Sequence, residues 1–333
     1  MNPNEKIQIG KTQICVTRLG LGGGPLAGYH TDVAEDEAIA TVHRALSLGL
    51  NLFDTAPMYG CGKSELLIGR ALSGRQRETF VLATKVGRVL EPIDPSEAAK
   101  LYFGYQNPLH FRPVFDFSYS GVMRSVTESL KRLNLNRIDI AHIHDPDDHY
   151  EDAIRSAYPA LAGLRKEGAI GAISAGMNQA EMPARFAREA DFDCFLIAGR
   201  YTLLEYTGMD DLLSLCLKKR ISIIIGAPFN SGILATGARE GAFFNYAVAP
   251  PSVVEKVRQI ESVCAQYGVP LKAAALQFPF AHPAVASIIP GGRSAGEVEE
   301  NFSLMKFEIP PKFWNELSRR DLLPKGAPLP SQS

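Results

Sequence analysis

Short apolar runs recur along the chain, each followed by a stretch with helical spacing. LGLG (19–22), NLFD (51–54), FVLATK (80–85) and RIDIAHIH (137–144) read as strands. So do IGAISAG (170–176), FDCFLIA (192–198), ISIIIGA (221–227) and AVASIIP (284–290). Each run is apolar on both faces, the pattern of a parallel strand covered on both sides. Between them, residues 34–49 place Ile39, Val42, Ala45 and Leu46 on one helical face, with Gly49 set to stop the helix. SELLIGRALSG reads as a helix ending at Gly74, and 120–133 as one capped by Ser120 or Gly121. Further helices are expected over 151–167, 178–189, 210–220, 252–267, 271–280 and EVEENF after the last strand. Eight alternating units in 333 residues predict α/β architecture closed as a single (β/α)8 TIM barrel, one domain over 1–333, rather than an open sheet. KIQIG and QICVT, ahead of the first strand, predict an N-terminal β-hairpin that plugs the bottom of the barrel.

Two stretches interrupt the alternation. Residues 86–119 form a long connection rich in aromatics: Tyr102, Phe103, Tyr105, Phe111, Phe115, Phe117 and Tyr119. Residues 228–251 form a second, with Asn230, Ser231, Gly232 and the pair Phe243–Phe244. Connections of this length are uncommon unless they serve as lids or binding loops. The C-terminal KGAPLPSQS, within 324–333, reads as a flexible tail.

Composition narrows the partners. The chain is 46% apolar and 21% charged with a net charge of -1, which gives no electrostatic reason to bind nucleic acid or an anionic membrane. No apolar run approaches the roughly 20 residues that span a bilayer, and MNPNEKIQIGKTQ lacks the apolar centre of a signal peptide. Five scattered cysteines without C-x-x-C spacing suit reduced thiols in a cytoplasmic chain. Cys61 stands out as a candidate exposed thiol, but nothing adjacent in sequence lowers its pKa, so it reads as chemically idle.

Polar residues at the C-terminal ends of barrel strands converge on one face. Here Asp54 ends the second strand, Lys85 the third and His144 the fourth, while Tyr59 lies on the loop above Asp54. A phenol alone is a poor base at neutral pH, its ordinary pKa being about 10. A nearby ammonium favours the phenolate, a carboxylate keeps that ammonium charged and fixed, and a neutral imidazole orients a carbonyl or hydroxyl oxygen. Such a quartet moves a proton on and off an oxygen, which is what hydride transfer between a carbon and a nicotinamide requires.

FDTAPMYG followed by SE, the strand ending ATK, IDIAHIHDPD and IIPGGRSAGEVEEN together resemble the aldo-keto reductase superfamily over nearly the whole chain. RPVFDFSYSGVMRS, AGRYTLLEY and FNSGILATG are similar to its branch of L-fucose and D-threo-aldose dehydrogenases and pyridoxal 4-dehydrogenase. The resemblance implies an NAD(P)-dependent oxidoreductase with Tyr59 as general acid/base, Lys85 and Asp54 as its tuning pair and His144 as the substrate-orienting group. It implies an aldose oxidised to its lactone, or pyridoxal or another aldehyde as alternative substrate. It also implies nicotinamide nucleotide bound across the barrel mouth without a Rossmann domain. In that site Gly23 and Asp54 contact the cofactor, and Asn178 holds the carboxamide. Asn230, Ser231, Gly232 and Leu234 clasp the pyrophosphate, and Gly291, Gly292, Arg293, Glu297, Glu300 and Asn301 surround the adenosine half.

Several positions depart from the family pattern. Met177, Ala198 and Gly226 stand where a Ser, a Gln and a stacking aromatic are usual, leaving Phe229 or Tyr201 to take over the stack. Glu297 occupies a position where many NADPH-preferring members carry Arg. A carboxylate there repels a 2′-phosphate and favours NAD over NADP, with Arg293 as the counterweight. Two other classes compete. The H-x-H pair His142 and His144 suits a metal hydrolase, but the later strands end in Ala175, Ala198, Ala227 and Pro290, which supply no further ligands. On the other reading of His142 it is a core histidine with a local hydrogen bond. A non-catalytic nucleotide-binding subunit has no need for the complete quartet. Nothing in the pattern specifies an oligomeric state.

Overall fold

Residues 1–98 and 104–330 are described by the computed structural model. Eight parallel strands make the barrel among them: β1 (Leu21–Gly22), β2 (Leu52–Asp54), β3 (Val81–Val86), β4 (Ile138–His144), β5 (Ile170–Met177), β6 (Cys194–Ala198), β7 (Ser222–Gly226) and β8 (Val285–Ile289). Neighbours in sequence pair in parallel throughout. The sheet closes on itself where Leu19 bridges Ile288 and Gly22 bridges Gly291, with the Gly20 N–H donating to the Ile288 carbonyl at 2.9 Å.

Two layers of core follow from strand alternation. Outward-facing residues such as Phe53, Leu82, Ile143 and Ile173 pack beneath the surrounding helices. Inward-facing Leu52, Val81, Ala83, Ile140, Ala172, Cys194, Leu196 and Ile224 fill the barrel, and Ile9 and Val16 join them from below. Those two come from the predicted N-terminal hairpin, whose strands Lys6–Gln8 and Cys15–Thr17 pair antiparallel. The hairpin is pinned where the Gly10 N–H donates to Ser222 Oγ at the start of β7, at 2.8 Å.

Structure adds detail that the pattern did not carry. The connection 86–119 contains an antiparallel pair, Arg88–Pro92 with Phe111–Phe115, and a short helix Pro95–Ala98. Tyr102 and Phe103 lie outside the described residues. The connection 228–251 folds into short helical turns at Asn230–Gly232 and Ile233–Thr236, then a small hairpin of Phe243–Phe244 and Ala247–Val248. The helix expected over 151–167 widens into a π-helical turn at Ala153–Ala157. The cause is Pro159, which has no N–H for the Arg155 carbonyl. Earlier in the chain Ser118, not Ser120 or Gly121, caps the helix Tyr119–Leu133 by accepting from the Gly121 N–H. A C-terminal helix, Pro311–Arg319, buries Phe313, Trp314 and Leu317. Among the described residues no helix is long and apolar enough to cross a membrane.

Candidate active site

The inward column of each strand changes character near the C-terminal rim. Above Leu52 comes Asp54, above Ala83 comes Lys85, and above Ile140 come His142 and His144. The register sets these side by side: Asp54 opposite Ala83, Lys85 opposite His142, His142 opposite Ser174 and His144 opposite Gly176. On β5 to β7 the same column ends in Gly176, Ala198 and Gly226, with Ala198 opposite Gly226. One side of the mouth is therefore polar and crowded, while the other is floored by the smallest side chains.

Lys85 Nζ donates to Asp54 Oδ1 at 2.6 Å and to the Thr55 carbonyl at 2.8 Å, deep in the barrel. Burial alone would raise the Asp54 carboxyl, but the Lys85 ammonium and His142 hold it below its usual value. His142 places Nε2 3.3 Å from Asp54 Oδ2 and shares a 2.7 Å hydrogen bond with Ser174 Oγ through Nδ1. Both of its nitrogens thus face protein groups, which favours the core-histidine reading. Glu65, fully buried behind the site, accepts from Thr84 Oγ1 at 2.7 Å and from Arg132 Nε at 2.6 Å, fixing the helix Lys63–Leu72 against β3.

Tyr59 sits on the turn after β2, its N–H donating to the Ala56 carbonyl at 3.1 Å. The Lys85 ammonium lies 4.6 Å from its ring centroid, and the His144 ring meets it edge-on at 6.1 Å. The three residues picked out at strand ends and the loop residue Tyr59 are thus one cluster. Burial, and then the Asp54 charge, push the Tyr59 phenol well above its usual value. The Arg88 guanidinium opposes this rise, and the Lys85 ammonium is itself paired with the Asp54 carboxylate 2.6 Å away. His144 is held well below its usual value by burial and then by the Arg88 guanidinium, so its imidazole is neutral.

Arg88, Asp145 and Tyr246 complete the mouth and were missed. Arg88 donates to the His144 carbonyl and to Asp145 Oδ2, both at 3.4 Å. Gly87 delivers it: φ is +98° there, and a Cβ would fall 2.0 Å from the Phe117 ring. The sequence signal was slight, a Gly-Arg pair just past a strand end. Tyr246 comes from the hairpin of the 228–251 connection, and no local pattern announces that its phenol reaches Asn178 Oδ1 at 3.2 Å.

The remaining expected positions follow the ends of β1, β5, β7 and β8 in the chain. Gly23 is packed so closely that a Cβ would lie 2.8 Å from the Asp54 carbonyl oxygen and Ser64 Oγ. Asn178 follows β5, and its Nδ2 donates to Asp145 Oδ1 at 3.4 Å. Asn230 is buried, donates to the Gly199 carbonyl at 3.1 Å and leaves Oδ1 without a protein partner. Ser231 and Gly232 follow it with positive φ, at 58° and 101°. The Leu234 side chain is wholly in the core, while its N–H donates to the Phe229 carbonyl at 3.1 Å. Gly291 and Gly292 lie beside Gly22 and Leu21 at the barrel seam. Arg293 is folded onto Glu297, donating to Oε1 through Nη2 at 2.7 Å and to Oε2 through its backbone N–H at 2.9 Å. Glu300 pairs with Lys272 at 2.8 Å, and Asn301 is buried on the same helix, Ala295–Lys306. Tyr201 does not face the mouth: it is enclosed by Tyr206 and Phe278 at ring distances of 5.1 and 5.8 Å. Cys61 is buried rather than exposed, and burial lifts its thiol to about 11, in keeping with an inert role.

Residues 18–321 match the aldo/keto reductase family. The chain belongs to that family. This aldo/keto reductase is 37% identical to the pyridoxal 4-dehydrogenase of Microbacterium luteolum, over 97% of its own length and 99% of the relative's. It is 35% identical to the D-threo-aldose 1-dehydrogenase of a Pseudomonas species (93% and 96%) and 31% identical to the L-galactose dehydrogenase of Arabidopsis thaliana (88% and 85%). Its fold superposes on an aldo-keto reductase from Bacillus halodurans in its holo form with a TM-score of 0.75 at 23% identity, covering 98% of each chain. The glycerol dehydrogenase of Gluconobacter oxydans gives 0.73 at 22% identity, over 100% and 98% of the two chains. The aldo/keto reductase is an NAD(P)-dependent oxidoreductase acting on a small molecule.

Proposed function

We propose that this aldo/keto reductase oxidises a cyclic hemiacetal to its lactone, with an aldose as substrate and NAD as the preferred nucleotide. The observation that carries the reading is the buried Lys85–Asp54 pair at 2.6 Å beneath the Tyr59 ring, with neutral His144 at its edge. When bound, the nicotinamide supplies the acceptor for a hydride. The small floor of Gly176, Ala198 and Gly226 fits a flat ring, and the Asn178 side-chain amide fits a carboxamide. Asn230, Ser231, Gly232 and Leu234 would hold the phosphates, and Gly291 through Asn301 the adenosine.

The chain's own residues handle the proton. His144, uncharged, orients the substrate oxygen. In its ionised form Tyr59 takes the proton from the anomeric hydroxyl as the carbon–oxygen bond becomes a carbonyl, and its own proton has first passed to solvent. Lys85 and Asp54 fix the field below the phenol. Because the phenol is held well above its usual value, it is protonated at neutral pH. Oxidation therefore accelerates as pH rises, and aldehyde reduction is served by the protonated form.

The substrate class draws on the relatives. Two of them are named for aldoses or galactose and one for pyridoxal. An aldopyranose carries a hemiacetal hydroxyl, and pyridoxal closes to a cyclic hemiacetal through its neighbouring hydroxymethyl group. One reaction, hemiacetal to lactone, serves both. Pyridoxal is the second reading, favoured by the stacked Phe115 and Phe117 rings 5.7 Å apart near the mouth. NAD is favoured because Glu297 holds the Arg293 guanidinium that would otherwise answer a 2′-phosphate.

The test follows the absorbance of the reduced nicotinamide while the protein is offered NAD or NADP with aldoses, pyridoxal and simple alcohols. Turnover of aldoses, faster with NAD, is expected. Turnover of simple alcohols alone removes the hemiacetal reading.

A further inference from the structure

The hairpin Phe243–Phe244 and Ala247–Val248 turns through Asn245 and Tyr246, both with positive φ, at 47° and 65°. A two-residue turn of this hand favours Gly at its second position. A tyrosine there costs about 1 kcal/mol or more in backbone strain. Packing does not explain the choice, since Tyr246 remains 57% exposed. The turn is nevertheless held in place. The Tyr246 N–H donates to Ser231 Oγ at 2.9 Å, and Arg200 donates to Asn245 Oδ1 at 2.7 Å. The phenol then donates to Asn178 Oδ1 at 3.2 Å.

Asn178 is held from both ends. Its Nδ2 donates to Asp145 Oδ1 at 3.4 Å, and Asp145 is paired with Arg88. A carboxylate accepts and a phenol O–H donates, so the two neighbours fix which way the amide points. Each end of the amide keeps one free valence: a second lone pair on Oδ1 and a second hydrogen on Nδ2. That pair is complementary to another primary amide, which offers one carbonyl and one NH2.

We infer that Tyr246, together with Asp145, is a positioning residue that locks the Asn178 amide in the one orientation able to pair with the nicotinamide carboxamide. The inference rests on the proposed cofactor placement and deepens it. The strained turn delivers the phenol that donates to Oδ1.

The experiment measures dissociation constants of NADH and of ADP-ribose, which lacks the nicotinamide, for the wild-type chain and Tyr246→Phe. Phenylalanine keeps the ring and the backbone and removes the donor. The expected result is a loss of about fivefold in NADH affinity, the effect of one neutral hydrogen bond, with ADP-ribose affinity unchanged. Equal losses for both ligands would make Tyr246 a general cover for the dinucleotide and overturn the inference. Unchanged binding of both also overturns it. Wild-type protein that binds neither ligand removes the cofactor reading itself, and the inference with it.

Discussion

Lys85 and Asp54 show how a single residue pair takes meaning from depth. On a surface an ammonium and a carboxylate contribute little. Buried at 2.6 Å, each is the other's necessary partner, and removing one leaves an unpaired charge at a cost of about 3–5 kcal/mol. Substitutions there would confuse folding with catalysis, so Tyr59 is the better probe. Tyr59→Phe keeps the ring over the ammonium and removes only the proton-carrying oxygen. Turnover is expected to fall by about 10²–10⁴-fold with NADH affinity retained. Steady-state rates and a binding titration check both halves, and near-normal rates would take Tyr59 out of its role. Asp54, Lys85 and His144 could be read from strand ends, and Tyr59 from the loop just past the second strand. Arg88 and Tyr246 could not, because each reaches the mouth from a connection whose path is set by tertiary contacts rather than by periodicity.

At the scale of elements, the eight strands were legible because burial on both faces leaves a continuous apolar run, which a half-exposed strand or a solvated loop does not carry. The short N-terminal hairpin was legible too, and its role is energetic. Ile9 is fully buried among the inward-facing residues of the barrel. Ile9→Ala would leave a cavity at the bottom and is expected to cost about 2–5 kcal/mol, read as a lower urea midpoint at unchanged slope. A change below about 0.5 kcal/mol would mean that the hairpin rests on the barrel without sealing it. The antiparallel pair inside 86–119 and the π-helical turn before Pro159 escaped the pattern. The first pairs residues far apart in sequence, and the second is a local response to one missing N–H.

Across the whole molecule the buried site couples stability to pH. Burial holds both His142 and His144 below the usual histidine value. In the unfolded chain each takes up a proton near pH about 6.5. Below that point the unfolded state binds more protons than the folded one, so stability falls with falling pH. Asp54 adds a second loss in acid, since its folded value lies below that of the free carboxylate. Urea unfolding between pH about 7 and about 5 is expected to show declining midpoints, less steeply in His144→Asn. A flat profile would mean that these imidazoles are accessible to solvent.

The sequence by itself determined the alternation of strand and helix, hence the barrel. It also determined which residues stand at the strand ends. Both follow from local patterns, continuous apolar runs for the strands and a period of 3.6 for the helices, acting within a few residues of each other. Tertiary structure alone decided the state of those residues. The depth of Tyr59, the compensation of Lys85 by Asp54 and the reach of Tyr246 to Asn178 join segments separated along the chain. Their desolvation and distances exist only once the barrel has closed.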